Sequence, residues 1–345
     1  MTRIQDVARD AGVSVSTVSN VLNGRADRMT RETLGRVEAA IARLGFRPSQ
    51  AARSLKTGQM PIIGLLVPSI ANPMYGSIAR EVEQVAQEQH NYRVLLGSTY
   101  RSTEKEASFI DDLLSHGVRS VIVISSLTDE GHIEAVLKRG LVVVSYDRRA
   151  DADAASRIDH VSVDNFKAGQ IAARHLIDHG HRRLAFATAA GVTMSRRDKI
   201  GGFLDGAAGV ADTEVLEGRV GSEYGDSEMV EVGRALAAKI ARAAKAKRPT
   251  GLVAVNDMLA IGLIAGLREH GLRVPDDISV LGMDDMFLAP LVSPALSSVG
   301  MPLADMARTM VERVITRLAD PHVPTAEFLF EPRLAQRLSV AAPPP

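Results

Sequence analysis

The chain has 345 residues, 41 Lys plus Arg balanced by 41 Asp plus Glu, and 46% hydrophobic residues. That is more than one ordinary domain needs and enough for sizeable cores. Cysteine is absent, which excludes disulfides, thiolate zinc sites and cysteine nucleophiles together. No apolar run approaches the roughly 20 residues that span a bilayer, and Asp6 and Asp10 stand where a secretory signal would be apolar, so a cytoplasmic protein is expected.

The balance of charge conceals an asymmetry. Through residue 58 the basic side chains are Arg3, Arg9, Arg25, Arg28, Arg31, Arg36, Arg43, Arg47, Arg53 and Lys56, against Asp6, Asp10, Asp27, Glu32 and Glu38. A small basic head on a mildly acidic body fits a polyanion-binding module joined to something else.

In chain order, the head reads as helices only. Ile4, Val7, Ala8 and Ala11 follow helical spacing, Gly12 signals a turn, and Ser14 caps a second short helix running to Asn23-Gly24. Thr30 caps a third, with Glu32 in its first turn, an apolar face of Leu34, Val37, Ile41 and Leu44, and Gly45 as its stop. Residues 1–46 form this head and 47–60 a linker with a short helical piece.

After Pro61 the pattern changes. Apolar, β-branched runs at Ile62–Val67, Arg93–Leu96, Ser120–Ile124, Val142–Ser145, His160–Val163, Leu184–Ala187, Gly251–Val255, Ser279–Gly282 and Ser297–Val299 alternate with amphipathic helices. Strands apolar throughout and separated by helices indicate buried parallel sheet. Nine are many for one sheet, so residues 61–340 read as two doubly wound lobes with a ligand cleft at the C-terminal strand ends. The Pro343–Pro345 tail is expected to be disordered.

Two short helices across a tight turn can place the second in the major groove. At about 100° per residue, Val18, Val21 and Leu22 share the packed face of that helix. Ser16 and Asn20 then point away from the core and Val15 sits at its edge, a set suited to adenine edges and thymine methyls. Ser14, Thr17, Ser19 and Arg25 can contact phosphates and set register. The plainer alternative is a solvated helix face.

The segments Ile4-Gln5-Asp6-Val7-Ala8, Ala11-Gly12-Val13-Ser14, Thr17 to Gly24 and Thr33 to Pro48 closely resemble the head of the lactose-repressor (LacI/GalR) family. Pro48 to Lys56 is similar to the family's hinge helix. The resemblance implies that Ala52, Arg53 and Leu55 enter the minor groove, Leu55 as an apolar wedge between base steps. An ordinary interdomain helix is the alternative there. The resemblance also places Val15, Ser16 and Asn20 at positions that vary with operator, and implies a palindromic site read by a homodimer.

The likeness continues through Ile63 to Pro68, Asn72 to Tyr75, Asp147-Arg148, Val163 to Asn165, Asn256-Asp257 and Gly282 to Asp285. It implies a periplasmic-binding-protein-like body with Met74, Tyr75, Asp147, Arg197, Tyr224, Asn256 and Asp284 contacting a small effector, a sugar by the family's habit. Carboxylates, an amide and a guanidinium just past strand ends suit hydroxyl groups, and Tyr75 can cover a sugar's apolar face. Asp164 reads better as an N-cap, and Met301 stands where many members have Gln.

Other features weigh less. His175, His179 and His181 resemble a metal cluster but lack a completing carboxylate, and adjacent Asp284 and Asp285 should diverge rather than pair for acid–base work. A sugar-binding protein of the periplasm and an α/β enzyme are the rival readings. The basic head opposes the first, and the lack of a nucleophile, metal set or cofactor motif opposes the second. No cofactor is expected, and without a C-terminal leucine heptad a dimer is expected rather than a tetramer. The expected function is a DNA-binding transcriptional regulator, a repressor, controlled by a small effector.

Overall fold

The computed structural model describes residues 2–22, 29–46, 60–100, 102–124, 136–146, 157–191, 193–219 and 227–344. The chain separates into two units, residues 1–60 and 61–345.

In the first unit, α1 (Ile4–Asp10), α2 (Val15–Leu22) and α3 (Arg31–Leu44) enclose a small core. Val7, Ala8, Ala11, Val18, Val37 and Ala40 are buried in it, with Val21, Leu22 and Ile41 packed around them. Each fully buried valine contributes roughly 1.5 kcal/mol or more. The caps follow the sequence. Ser14 Oγ accepts from Thr17 N at 3.1 Å, Thr30 Oγ1 accepts from Thr33 N at 3.2 Å, and Gly45 closes α3 in the left-handed region at φ 56°, where glycine carries no Cβ penalty.

The second unit holds two six-stranded sheets. Its elements are β1 (Ile62–Val67), α4 (Pro73–His90), β2 (Arg93–Ser98), α5 (Thr103–Ser115), β3 (Ser120–Ile124), β4 (Val142–Tyr146), β5 (Asp159–Val163), α6 (Asn165–Asp178), β6 (Arg183–Ala189), α7 (Met194–Ala207), β7 (Asp212–Gly218), α8 (Ser227–Arg242), β8 (Gly251–Ala254), α9 (Asp257–Glu269), β9 (Ser279–Asp284), β10 (Ser297–Gly300), α10 (Leu303–Ala319), β11 (Glu327–Phe330) and β12 (Arg333–Ala335). Lobe 1 has strand order β11-β5-β4-β3-β1-β2 and lobe 2 has β12-β10-β9-β8-β6-β7. Every pairing is parallel except β10 with β12. The expected two doubly wound α/β lobes are therefore present.

Three strands were not expected: β7, β11 and β12. β7 is an edge strand whose residues are mostly exposed, so it lacks the apolar run of a buried strand. β11 and β12 have only four and three residues, and they carry the chain's last turns of sheet back to both lobes. The chain thus passes between lobes after β5, after β10 and after β11. Each lobe has its own core. Lobe 1 buries Ile63, Leu65, Ile78, Ile122, Val144, Met306 and Met310 among others. Lobe 2 buries Leu176, Leu184, Phe186, Phe203, Leu252 and Leu263, with the Phe186 and Phe203 rings 5.5 Å apart.

Candidate functional site

The second helix of the head, α2, carries the residues expected to meet DNA at differing exposure. Val15 is exposed despite being apolar, Ser16 is exposed, and Thr17, Ser19 and Asn20 are half-buried. Ser14 is exposed while capping α2, and its hydroxyl lies 2.9 Å from that of Thr17. Val18, one turn from Ser14, is fully buried, which fixes the rotation of the helix. Arg25, and the hinge residues Ala52, Arg53 and Leu55, lie outside the described residues.

In the second unit the two lobes face each other across a cleft of about 770 Å³, part of it open to bulk solvent. Lobe 1 supplies Pro68, Asn72, Met74, Tyr75, Ile124 and Tyr146. Lobe 2 supplies Thr193, Ser195, Arg196, Lys199, Met229, Val255, Asn256 and Asp284, and Asn165 and Met301 stand where the chain passes between lobes. The cleft lies at strand ends because parallel strands point their C-termini there and the following helices begin there.

Four expected effector residues, Met74, Tyr75, Asn256 and Asp284, meet in this cleft. Asn72 caps α4, accepting from Met74 N at 2.9 Å, and so seats Met74 and Tyr75 on the helix's first turn. Asn256 caps α9 through Leu259 N at 2.9 Å. Asp164 is an N-cap, as expected, accepting from Lys167 N at 2.9 Å. Tyr146 Oη donates to the Met301 sulfur at 2.8 Å, so a thioether occupies that position of the cleft wall. Asp147 and Tyr224 lie outside the described residues.

Arg197 is not brought into the cleft. Its side chain is 67% exposed and lies 3.5 Å from Asp198. The reason is helix phase. Thr193 caps α7 by accepting from Arg196 N at 3.2 Å, and Ser195, Arg196 and Lys199 share the cleft face, with Phe203 one turn on in the core. Arg197 is half a turn from Lys199 and points to solvent. Lys199 is the residue the sequence reading missed. Its Nζ donates to Val255 O at 3.2 Å and lies 3.6 Å from Asp284 Oδ1, the two side chains being 12% and 11% exposed. Arg196 Nη1 donates to the carbonyls of Ala189 and Ala190 at 2.8 and 3.1 Å, which pins the end of β6 rather than freeing the guanidinium for a ligand.

The histidine trio is structural in its contacts. His181 is buried between Thr250 Oγ1 at 2.9 Å, Ser279 Oγ at 3.0 Å and Ala341 O at 2.9 Å. The His175 and His179 rings stack edgewise. Among the described residues no group of three or more His, Cys, Asp or Glu is placed to hold a metal, and no helix is long and apolar enough to cross a membrane.

Residues 3–49 match the family described as bacterial regulatory proteins, lacI family, and residues 173–340 match a periplasmic binding protein-like domain. The HTH-type transcriptional regulator GalS of Salmonella typhimurium is 31% identical over 99% of this chain and 97% of its own length. The chain belongs to the LacI family. It is accordingly a DNA-binding transcriptional regulator with an effector-binding body. Solved structures share the fold. The lac repressor dimer bound to operator and the anti-inducer ONPF superposes with a TM-score of 0.83 over 99% of both chains at 23% identity. A periplasmic binding protein/LacI transcriptional regulator from Alkaliphilus metalliredigens, complexed with D-xylulofuranose, covers 81% of this chain and 99% of its own at 25% identity and a TM-score of 0.70.

Proposed function

We propose that this LacI-family regulator is a cytoplasmic repressor that binds a palindromic operator as a homodimer and releases or tightens on it when a sugar enters the interlobe cleft. The observation carrying this reading is the convergence of Asn72, Tyr75, Lys199, Asn256 and Asp284 on one cleft in a chain with a LacI head. Asp284 accepts hydrogen bonds from hydroxyls, Lys199 donates to them, and Asn256 does both. Met74 and Tyr75 supply an apolar wall. A structural relative of the same fold is complexed with D-xylulofuranose, which supports a sugar here. Asp147 and Tyr224 complete the site by resemblance, and Lys199 takes the role assigned to Arg197.

In the head, Val15, Ser16 and Asn20 read base edges. Ser14, Thr17, Ser19 and Arg25 hold phosphates, and Ala52, Arg53 and Leu55 occupy the minor groove. Dimerisation has support in the body. The edge strands β2 and β7 leave Leu95, Leu96 and Val215 exposed, apolar surface that a second copy of the chain would cover. Effector binding alters the angle between lobes and so the pairing of hinges. A coupling of roughly 1–3 kcal/mol gives a useful switch and acts reciprocally on DNA and effector. Among the described cleft residues the polar groups serve as donors and acceptors and form no nucleophile–base pair, which supports binding without turnover.

The test is selection of a duplex from a randomised pool, then operator titration with and without D-ribose, D-xylulose and cellobiose. Expected are a palindromic consensus, a shift in operator affinity with at least one sugar, and intact sugar on recovery. Asn20→Ala should lose about 1–3 kcal/mol of discrimination at one base pair. A pool without consensus, or an affinity no sugar moves, would overturn the reading.

A further inference from the structure

Beneath the cleft floor lies an acid with no contact to the cavity. Asp257, the first residue of α9, is fully buried. Its Oδ2 accepts from Met286 N at 2.8 Å, and its Oδ1 is hydrogen-bonded to Ser298 Oγ at 2.6 Å, as acceptor when the carboxyl is ionised. Ser298 Oγ in turn accepts from Asp285 N at 3.0 Å. One side chain therefore holds two successive amides of the turn that leaves β9, Met286 directly and Asp285 through Ser298. That turn is strained, with Asp284 at φ 114° and Asp285 at φ 52°, a region that costs a non-glycine residue of order 1–3 kcal/mol and persists only where surroundings enforce it. Gly282 makes the close approach feasible, since a Cβ there would stand 2.1 Å from Asp257 Oδ1.

We propose that Asp257 is a positioning residue of the effector cleft: through Met286 and Ser298 it fixes the strained turn that aims Asp284 at Lys199. The inference rests on the reading of Lys199 and Asp284 as effector contacts. Asp257 itself touches no effector and acts through Asp284.

The arrangement also links the cleft to a proton. The charged groups facing Asp257 are Asp284 and Asp285, from β9 and its turn. Lys199, from α7, answers Asp284, and Arg337, beyond β12, answers Asp285 through Nη2 at 2.6 Å. Burial, then the charge of Asp284, push the Asp257 carboxyl up to about 8, against the pull of the Ser298 and Met286 hydrogen bonds. Near neutrality it carries its proton, and with the proton on Oδ1 the 2.6 Å contact runs from Asp257 to Ser298 Oγ. A sugar seated on Asp284 strips water from it and strengthens its repulsion of an ionised Asp257. Sugar binding therefore favours the protonated form and weakens as pH rises through about 8.

Three measurements test this on the full-length protein. Crystal structures of the ligand-free wild type, Asp257→Asn, Asp257→Ala and Ser298→Ala give the Asp284–Lys199 separation. Asp257→Asn should keep the turn, since its amide accepts from Met286 and donates to Ser298, whereas Asp257→Ala should displace it. Calorimetric titration with D-ribose and with cellobiose should show Asp257→Ala weaker by about tenfold, the loss expected from one charged hydrogen bond. Asp257→Asn should restore the affinity and remove its fall above about pH 8, while operator binding without sugar stays level in all variants. An undisplaced turn in Asp257→Ala overturns the positioning role, as does equal affinity of wild type and Asp257→Ala. If neither sugar binds the wild type, the sugar reading falls separately, and the crystal structures still decide for or against Asp257. Should Asp257→Ala fail to fold, Ser298→Ala must move the turn in its place, and an unmoved turn there overturns the proposal.

Discussion

Two adjacent glycines in α7 should behave oppositely when replaced by alanine. Helices α6 and α7 cross so closely that a Cβ on Gly202 would stand 1.8 Å from Phe166 O and 2.6 Å from its carbonyl carbon. An ordinary carbon–oxygen contact needs roughly 3.3 Å, so the helices must part by about 1.5 Å along a contact where both neighbours are backbone and neither can rotate away. Gly169, whose own Cβ would meet Lys199 O at 2.2 Å, lies on the same seam and prevents a slide. Overpacking of this kind costs typically 1–3 kcal/mol, and the rigid partners put Gly202→Ala at about 3 kcal/mol. At about 2–4 °C per kcal/mol for a body of this size, the melting temperature should fall by about 6–12 °C. Gly201→Ala is the control. Its Cβ would meet only the Phe166 ring, at 3.4 Å, and alanine gains up to about 1 kcal/mol of helix propensity. Thermal denaturation followed by circular dichroism at 222 nm, the helix band, reads both. If Gly202→Ala melts with or above Gly201→Ala, the close crossing of α6 and α7 is refuted. Because α7 also carries Lys199, the same variant should weaken sugar binding.

Lys199→Met keeps the stem and removes the charge. It should weaken sugar binding by about 10- to 100-fold, the equivalent of a charged hydrogen bond, and leave sugar-free operator affinity unchanged, as titration calorimetry and a DNA-binding titration can check. Asp159 is fully buried beneath α10, with Arg313 Nη2 at 2.7 Å and Arg317 Nε at 3.6 Å. Its Oδ1 also accepts from Ala326 N at 2.9 Å. Asp159→Asn leaves two largely buried guanidinium groups without their counter-charge and should cost about 3–5 kcal/mol, read as a lowered urea midpoint. Burial holds both His175 and His181 below the ordinary histidine range. The native state needs them neutral, so their contribution is complete above the unfolded value of about 6.5 and declines as pH falls below it. The urea midpoint of the wild type should therefore drop more between pH values of about 7.5 and 5.5 than that of His181→Gln, and equal drops would exclude His181 as the titrating group. Asp257 works in the opposite sense, which is why the comparison is between variants rather than between pH values alone.

Much of this architecture is legible in the chain because two physical signals are strong. Buried parallel strands must be apolar on both faces, and β1, β3, β4, β6, β8 and β9 are. Caps must be small and polar, and Ser14, Thr30, Asn72 and Asp164 are. β7 escapes notice because an edge strand has one open side and tolerates Asp212, Glu214 and Glu217. β11 and β12 are too short for alternation to register. In the cleft, Arg197 draws attention by charge, yet rotation about the α7 axis decides which cation faces the cavity. Counting from the Thr193 cap to Phe203 would have selected Lys199. Asp257 carries no such signal. An acid in a helix's first turn is ordinary, and only the distant Met286 and Ser298, brought in by the sheet, give it a further role.

The return of β11 to one sheet and β12 to the other means that neither lobe is contiguous along the chain. Lobe 1 lacks its outer strand until residue 330 has been made, and lobe 2 until residue 335, so neither sheet is complete when its other five strands have left the ribosome. Three separate tethers also bind the halves to one another. They permit bending, as covers bend about a spine, and oppose free swivelling, so whatever enters between the lobes is translated into change along one restricted path.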